Sequence, residues 1–137
     1  MTLDETQRTH FDALVEQQVA TLPYTIQLLL QETPLLVEDR PSPELLDQLG
    51  LKAAESSELC GVFSGIGLTE RSVEDSMVEP QTITIFREGL CALVDSRSDS
   101  KQSRDEQLAQ EIRITILHEV GHHFGLDEDD LEALGFG

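Results

Sequence analysis

Residues 103–125 read SRDEQLAQEIRITILHEVGHHFG, and this stretch predicts one long helix with chemistry on its second half. Ser103 followed three residues later by Glu106 makes a capping box, and Asp105 and Glu106 put negative charge in the first turn, where the helix dipole favours it. Leu108, Ile112, Ile116, Val120 and Phe124 recur at helical spacing and form an apolar stripe. The β-branched residues between Ile112 and Ile116 lower intrinsic helix propensity, a local cost that burial overrides. Gly125 then ends the helix, because glycine accepts the left-handed conformation found at such ends.

Three of the four histidines, His118, His122 and His123, fall in the last turns of that helix. His118-Glu119-Val120-Gly121-His122 is an HExxH sequence. Positions four apart on a helix differ by about 40° in rotation and about 6 Å in height, so His118 and His122 share one face. Two imidazoles so placed can converge on a zinc ion, with Glu119 projecting beside them. Zinc lowers the pKa of a coordinated water towards neutrality, and a neighbouring carboxylate then serves as general base. The competing reading, a buried helix whose histidines only hydrogen-bond, does not account for motif, helix and terminating glycine together. His123 is turned about 100° from His122 and is expected to support the site or face solvent rather than ligate.

Composition limits the rest. At 137 residues the sequence is expected to form one domain, residues 1–137, long enough to bury a core. The net charge of −18, with Lys52 and Lys101 the only lysines, argues against a nucleic-acid or anionic-membrane partner. The densest carboxylate run, Asp127 to Asp130, follows the proposed metal site and is expected to be mostly solvated. No apolar run approaches a membrane span, and Met1 to Phe11 is too polar for a signal peptide, so a soluble, cytoplasmic protein is expected. Cys60 and Cys91 form no CxxC pair and are expected to be reduced and buried.

The remaining sequence alternates helix and strand signals. Phe11, Leu14, Val15, Val19 and Leu22 have helical spacing and are closed by Pro23. Tyr24 to Leu30 is a candidate short helix, and Pro34 to Glu38 reads as a buried strand. Ser42 caps a short helix that runs to Leu49 and stops at Gly50. Leu59 to Leu68 is consistent with a strand and bend, and Ser72 to Pro80 with a loop. Thr82-Ile83-Thr84-Ile85-Phe86 alternates, the mark of a half-buried strand exposed on one face. Gly89 is placed at a bulge or turn after it, Leu90 to Val94 fits a strand or a short helix, and Asp95 to Lys101 reads as a surface loop. Strands between helices, with an apolar helix last, indicate an α+β fold. His10 carries no functional signal, and Tyr24, the single tyrosine, reads as a packing residue.

Several blocks, in order, resemble the short bacterial zincin-like metallopeptidases, or minimal zincins. They are Glu38-Asp39-Arg40-Pro41-Ser42-Pro43-Glu44-Leu45-Leu46, Leu68-Thr69-Glu70-Arg71-Ser72, Ile83-Thr84-Ile85-Phe86-Arg87, and Ile112 through Gly125. The resemblance implies a compact α+β zincin core, with a small mixed sheet and the HExxH helix packed beside it. It also implies the extended pattern HExxHxxGxxD, whose final acidic residue is a metal ligand. Here that position is Glu128, preceded by Asp127. Glu128 is the expected third ligand and Asp127 the alternative, because the left-handed Gly125 can turn position 128 towards the metal. No methionine follows Met77, so the Met-turn of metzincins is absent from this sequence. Arg71 is assigned either to a carboxylate near the site or to the order of its own loop.

The function expected from these residues is zinc-dependent hydrolysis of a peptide or protein substrate. His118, His122 and Glu128 would hold Zn2+, and Glu119 would be the catalytic base. A sheet edge at Ile83 to Phe86 would let an extended substrate pair with it. The alternative from another class is a zinc-dependent module that binds a peptide or protein without turnover, and a metal-free structural role is the third.

Overall fold

The computed structural model describes residues 3–64, 81–97, 102–125 and 129, and for 64 and 122–124 it describes the main chain. Helix α1 spans Glu5–Ala20 and α2 spans Tyr24–Glu32. Strand β1 (Leu35–Glu38), α3 (Pro43–Leu49) and a 3-10 helix (Ala53–Glu58) follow. Then come β2 (Gly61–Ser64), β3 (Thr82–Phe86), α4 (Arg87–Asp95) and α5 (Arg104–Phe124). The architecture is α+β, a small mixed sheet with α5 packed beside it.

Three helices, α1, α3 and α5, start at a side-chain cap, and on α5 it is the Ser103 half of the expected capping box that is present. Asp4 and Gln7 form a reciprocal capping box at the start of α1. Ser42 Oγ accepts from the Leu45 N–H at α3, and Gly50 ends that helix at φ +72°. On α5 the Glu106 N–H donates to Ser103 Oγ at 3.2 Å, and Gly125 closes the helix at φ +68°. Leu108, Ile112, Ile116 and Val120 are all at most 1% exposed, so the apolar stripe is the core face. It packs against Phe11, Leu14 and Val15 of α1, Leu90 and Val94 of α4, and Ile83 and Ile85 of β3.

The strand order is β1-β3-β2, with β1 parallel and β2 antiparallel to β3. This corrects two expectations. Ile83–Phe86 is not a sheet edge but the central strand, and it is buried on both faces, Thr84 being only 6% exposed. Alternation of Thr and Ile suits a strand with one solvated face, but neighbours on either side and cover over both faces remove it from water. Conversely, β1 is an edge strand and only half-buried, with Leu36 exposed.

The register also decides which main-chain groups of β2 face outward. Gly61 pairs with Ile85, and the Phe86 N–H donates to the Cys60 carbonyl at 2.9 Å. Gly61 therefore sits at a non-hydrogen-bonded position, so its own N–H and C=O point away from β3, to the outer edge.

Further differences are local. Gly89 lies inside α4, not at a turn, and Leu90 to Val94 is helical. Gly89 is there because a Cβ at that position would run into the Leu59 carbonyl. Tyr24 is 74% exposed and so is not a packing residue, since it opens α2 on the solvent side. Cys91 is buried as expected, whereas Cys60 is only half-buried because it borders a cleft; both are free thiols. Residues 65–80 and 98–101 hold the rest of the strand-and-bend segment, Arg71, the loop before β3 and most of the serine-rich loop. They lie outside the described residues. Among the described residues no helix is long and apolar enough to cross a membrane.

Candidate active site

The second half of α5 presents His118 and Glu119 to a cleft of about 320 Å³, whose other walls are Cys60, Gly61 and Thr115. Thr115, His118 and Glu119 reach it together because residues three and four apart on a helix are neighbours on its surface. Across from them, β2 supplies Gly61 and the preceding residue Cys60. The arrangement follows from burial: Ile112, Ile116 and Val120 hold one side of α5 in the core, and the flank beside that stripe, with Glu119 and Thr115 nearer the core and His118 further out, lines the cleft.

His118 is exposed and Glu119 half-buried. An exposed imidazole can reach a metal from solvent, and a partly shielded carboxylate beside it is suited to holding a proton during a reaction. The helix continues unbroken through Phe124, so position 122 stands one turn beyond His118 on the same side of the main chain. The side chains of His122 and His123 lie outside the described residues, as do Asp127, Glu128 and Asp130. Asp129 is described and exposed, as expected of the acidic run. Among the described residues no three His, Cys, Asp or Glu side chains converge on one point. Of the expected ligands, His118 alone has a side chain among the described residues.

Cys60, Gly61 and Thr115 were not expected at the site. Thr115 was legible in principle, because it precedes Glu119 by one helical turn. A glycine at a strand position signals a close backbone approach, and Gly61 makes one: a Cβ there would lie 2.7 Å from Thr115 Cγ2 and 3.6 Å from Glu119 Cγ. Cys60 carried no sequence signal. Burial pushes its thiol up from the usual range, and the Glu111 carboxylate adds to this, so at neutral pH it is a neutral wall of the cleft. Its Sγ lies 3.9 Å from the Glu58 carbonyl, to which it donates. Tyr24 is not among the residues lining the cleft. His10 lies 2.9 Å from Asp105 and links α1 to the first turn of α5.

A search of curated proteins finds no match to the chain. The sequence profile of the zincin-like metallopeptidase family, by contrast, matches residues 30–137, which takes in β1, the whole sheet and α5. With an HExxH helix beside a small mixed sheet and a match over most of its length, the chain belongs to the zincin-like metallopeptidase family.

Proposed function

We propose that the protein hydrolyses peptide bonds using a zinc ion held by His118, His122 and Glu128, with Glu119 as general base. The observation that carries this reading is the pairing of His118 and Glu119 in one cleft with Cys60 and Gly61 at the start of β2, the outer strand among the described residues. Membership of a metallopeptidase family supports zinc and a peptide or protein substrate. The donor chemistry fits the metal: two imidazoles and a carboxylate are ordinary zinc ligands, and His118 is exposed within the cleft.

Zinc, when bound, supplies Lewis acidity towards the scissile carbonyl. The remaining steps belong to the chain. His118 and His122 bind in their neutral forms, and Glu128 offsets part of the metal's charge. Glu119 takes a proton from the attacking water as its oxygen bonds to the carbonyl carbon. The same carboxyl then delivers that proton to the amine nitrogen as the C–N bond breaks. An extended substrate is held by the main chain of β2, where the outward N–H and C=O of Gly61 offer a pair of ladder hydrogen bonds. This moves the substrate-pairing role from the central strand β3 to the edge strand β2.

The test is Glu119→Gln. The variant should keep its zinc while hydrolysis of a mixed peptide library falls by about a hundredfold or more. Cleavage at the parental rate would reject Glu119 as the base. A zinc-loaded parent that cleaves nothing in a broad library would instead favour a module that binds peptides without turnover.

A further inference from the structure

We infer that Gly61 is a positioning residue: by carrying no side chain, it lets β2 lie against α5 at the separation that sets Glu119 in the cleft. The inference rests on the role proposed above for Glu119, but its geometric content can be tested without turnover.

The segment Leu59–Gly61 is pinned from several directions. On one side Gly89 of α4 approaches the Leu59 carbonyl so closely that any Cβ at position 89 would collide with it. Along the sheet, the Cys60 carbonyl is held by the Phe86 N–H at 2.9 Å. On the side of α5, a Cβ on Gly61 would lie 2.7 Å from Thr115 Cγ2, 3.3 Å from the Thr84 carbonyl oxygen and 3.6 Å from Glu119 Cγ. The first of these is closer than carbon atoms approach without movement. The strand cannot retreat to make room, because Gly89 and the ladder to β3 block it. The Thr84 oxygen belongs to that ladder and cannot yield either.

An added methyl must therefore be absorbed by Thr115, and Glu119, one turn beyond it and already at contact distance from that methyl, moves as α5 shifts with Thr115. Thr115 is β-branched and has few helical rotamers to escape into. Glu119 shares its strip of the helix surface. Small displacements of a catalytic group are expensive: misplacement by about 1 Å can cost a hundredfold in rate. A glycine at 61 is thus what lets β2 lie this close to Thr115 and Glu119 of α5 without a methyl group wedged between strand and helix.

The test compares Gly61→Ala, Thr115→Ser and the double variant, the serine removing the Cγ2 methyl while keeping the hydroxyl. Three quantities are measured: zinc per chain, the side-chain carboxyl carbon signal of Glu119 by NMR (assigned by its loss in Glu119→Gln), and turnover of the peptide best cleaved by the parent. In Gly61→Ala the Glu119 signal should move and zinc should stay near one per chain. Turnover should fall by about ten- to a hundredfold in kcat, with little change in KM. The double variant should return the signal to the parental position and recover most of kcat. An unmoved Glu119 signal in Gly61→Ala, or a double variant no closer to the parent than the single, overturns the inference. If Gly61→Ala does not fold, a folded double variant with parental signals supports it, and an unfolded one overturns it. If the zinc-loaded parent cleaves no peptide, the peptidase reading fails, while the NMR comparison still decides how Glu119 is placed.

Discussion

Glu128 is the residue at which the proposed ligand set leaves the helix, so its assignment depends on the turn that follows. Gly125 adopts φ +68° there, and its N–H donates to the Gly121 carbonyl, which ends the helix and redirects the chain. Position 128 is where the related motif carries its acidic ligand, and a glutamate needs only small backbone shifts to reach a Zn–O distance of about 2.0–2.2 Å. Glu128→Gln should therefore weaken zinc binding by more than the roughly 10–100-fold typical of outer-shell changes, whereas Asp127→Asn should cost less. Zinc titration of the two variants decides between them, and a larger loss in Asp127→Asn would move the ligand to Asp127. At this scale the sequence was most informative where chemistry is local. HExxH names His118 and Glu119 directly, and both border the cleft. Cys60 and Gly61 reach the same cleft through the pairing of distant strands, which no nearby residue encodes.

Among the elements, α5 was legible throughout because everything that defines it lies within it: the Ser103 cap, the stripe from Leu108 to Val120 and the Gly125 stop. The strands were legible as strands but not as to position. Thr82 to Phe86 alternates in the same way whether it lies at an edge or in the centre, and only its neighbours β1 and β2 bury it. Leu90 to Val94 was ambiguous for a related reason, since a short apolar run fits either period; what selects helix is the packing of α4 on α5. The joint between β1 and α4 is built from charge. Glu88 is buried, and Arg40, just past β1, reaches it with Nε at 2.9 Å and Nη2 at 2.6 Å. Removing the guanidinium leaves a buried carboxylate without its counter-charge. Arg40→Ala should lower stability by about 1–3 kcal/mol in urea unfolding, and Arg40→Ala combined with Glu88→Gln should recover part of that loss. An Arg40→Ala variant as stable as the parent would mean that solvent already satisfies Glu88.

The molecule as a whole carries a net charge of −18, yet its described acidic residues are not all free of partners. Asp39 lies between Arg8 and Arg87, and Arg87 also grips Asp12, so α1, β1 and α4 meet in one ionic network. Burial pushes the Asp39 carboxyl up, but the hydrogen bonds and charge of Arg87 and Arg8 outweigh it and hold the group below its usual range. A depressed folded-state value means that this stabilisation is fully present above the ordinary carboxylate range and is lost as pH falls through and below it. Asp39→Asn should therefore be less stable than the parent at neutral pH and lose less stability on acidification, as thermal unfolding between about pH 3 and 7 would record. Identical acid profiles would show that the network contributes nothing to folding. Metal should leave in acid as well, because protons compete with the metal for imidazole nitrogens. Whether HExxH binds zinc is decided by metal content after purification without chelator, for the parent beside the double variant His118→Ala/His122→Ala. The parent should hold about one zinc per chain and the double variant none, and full zinc occupancy surviving the loss of both histidines would contradict a zinc site at HExxH.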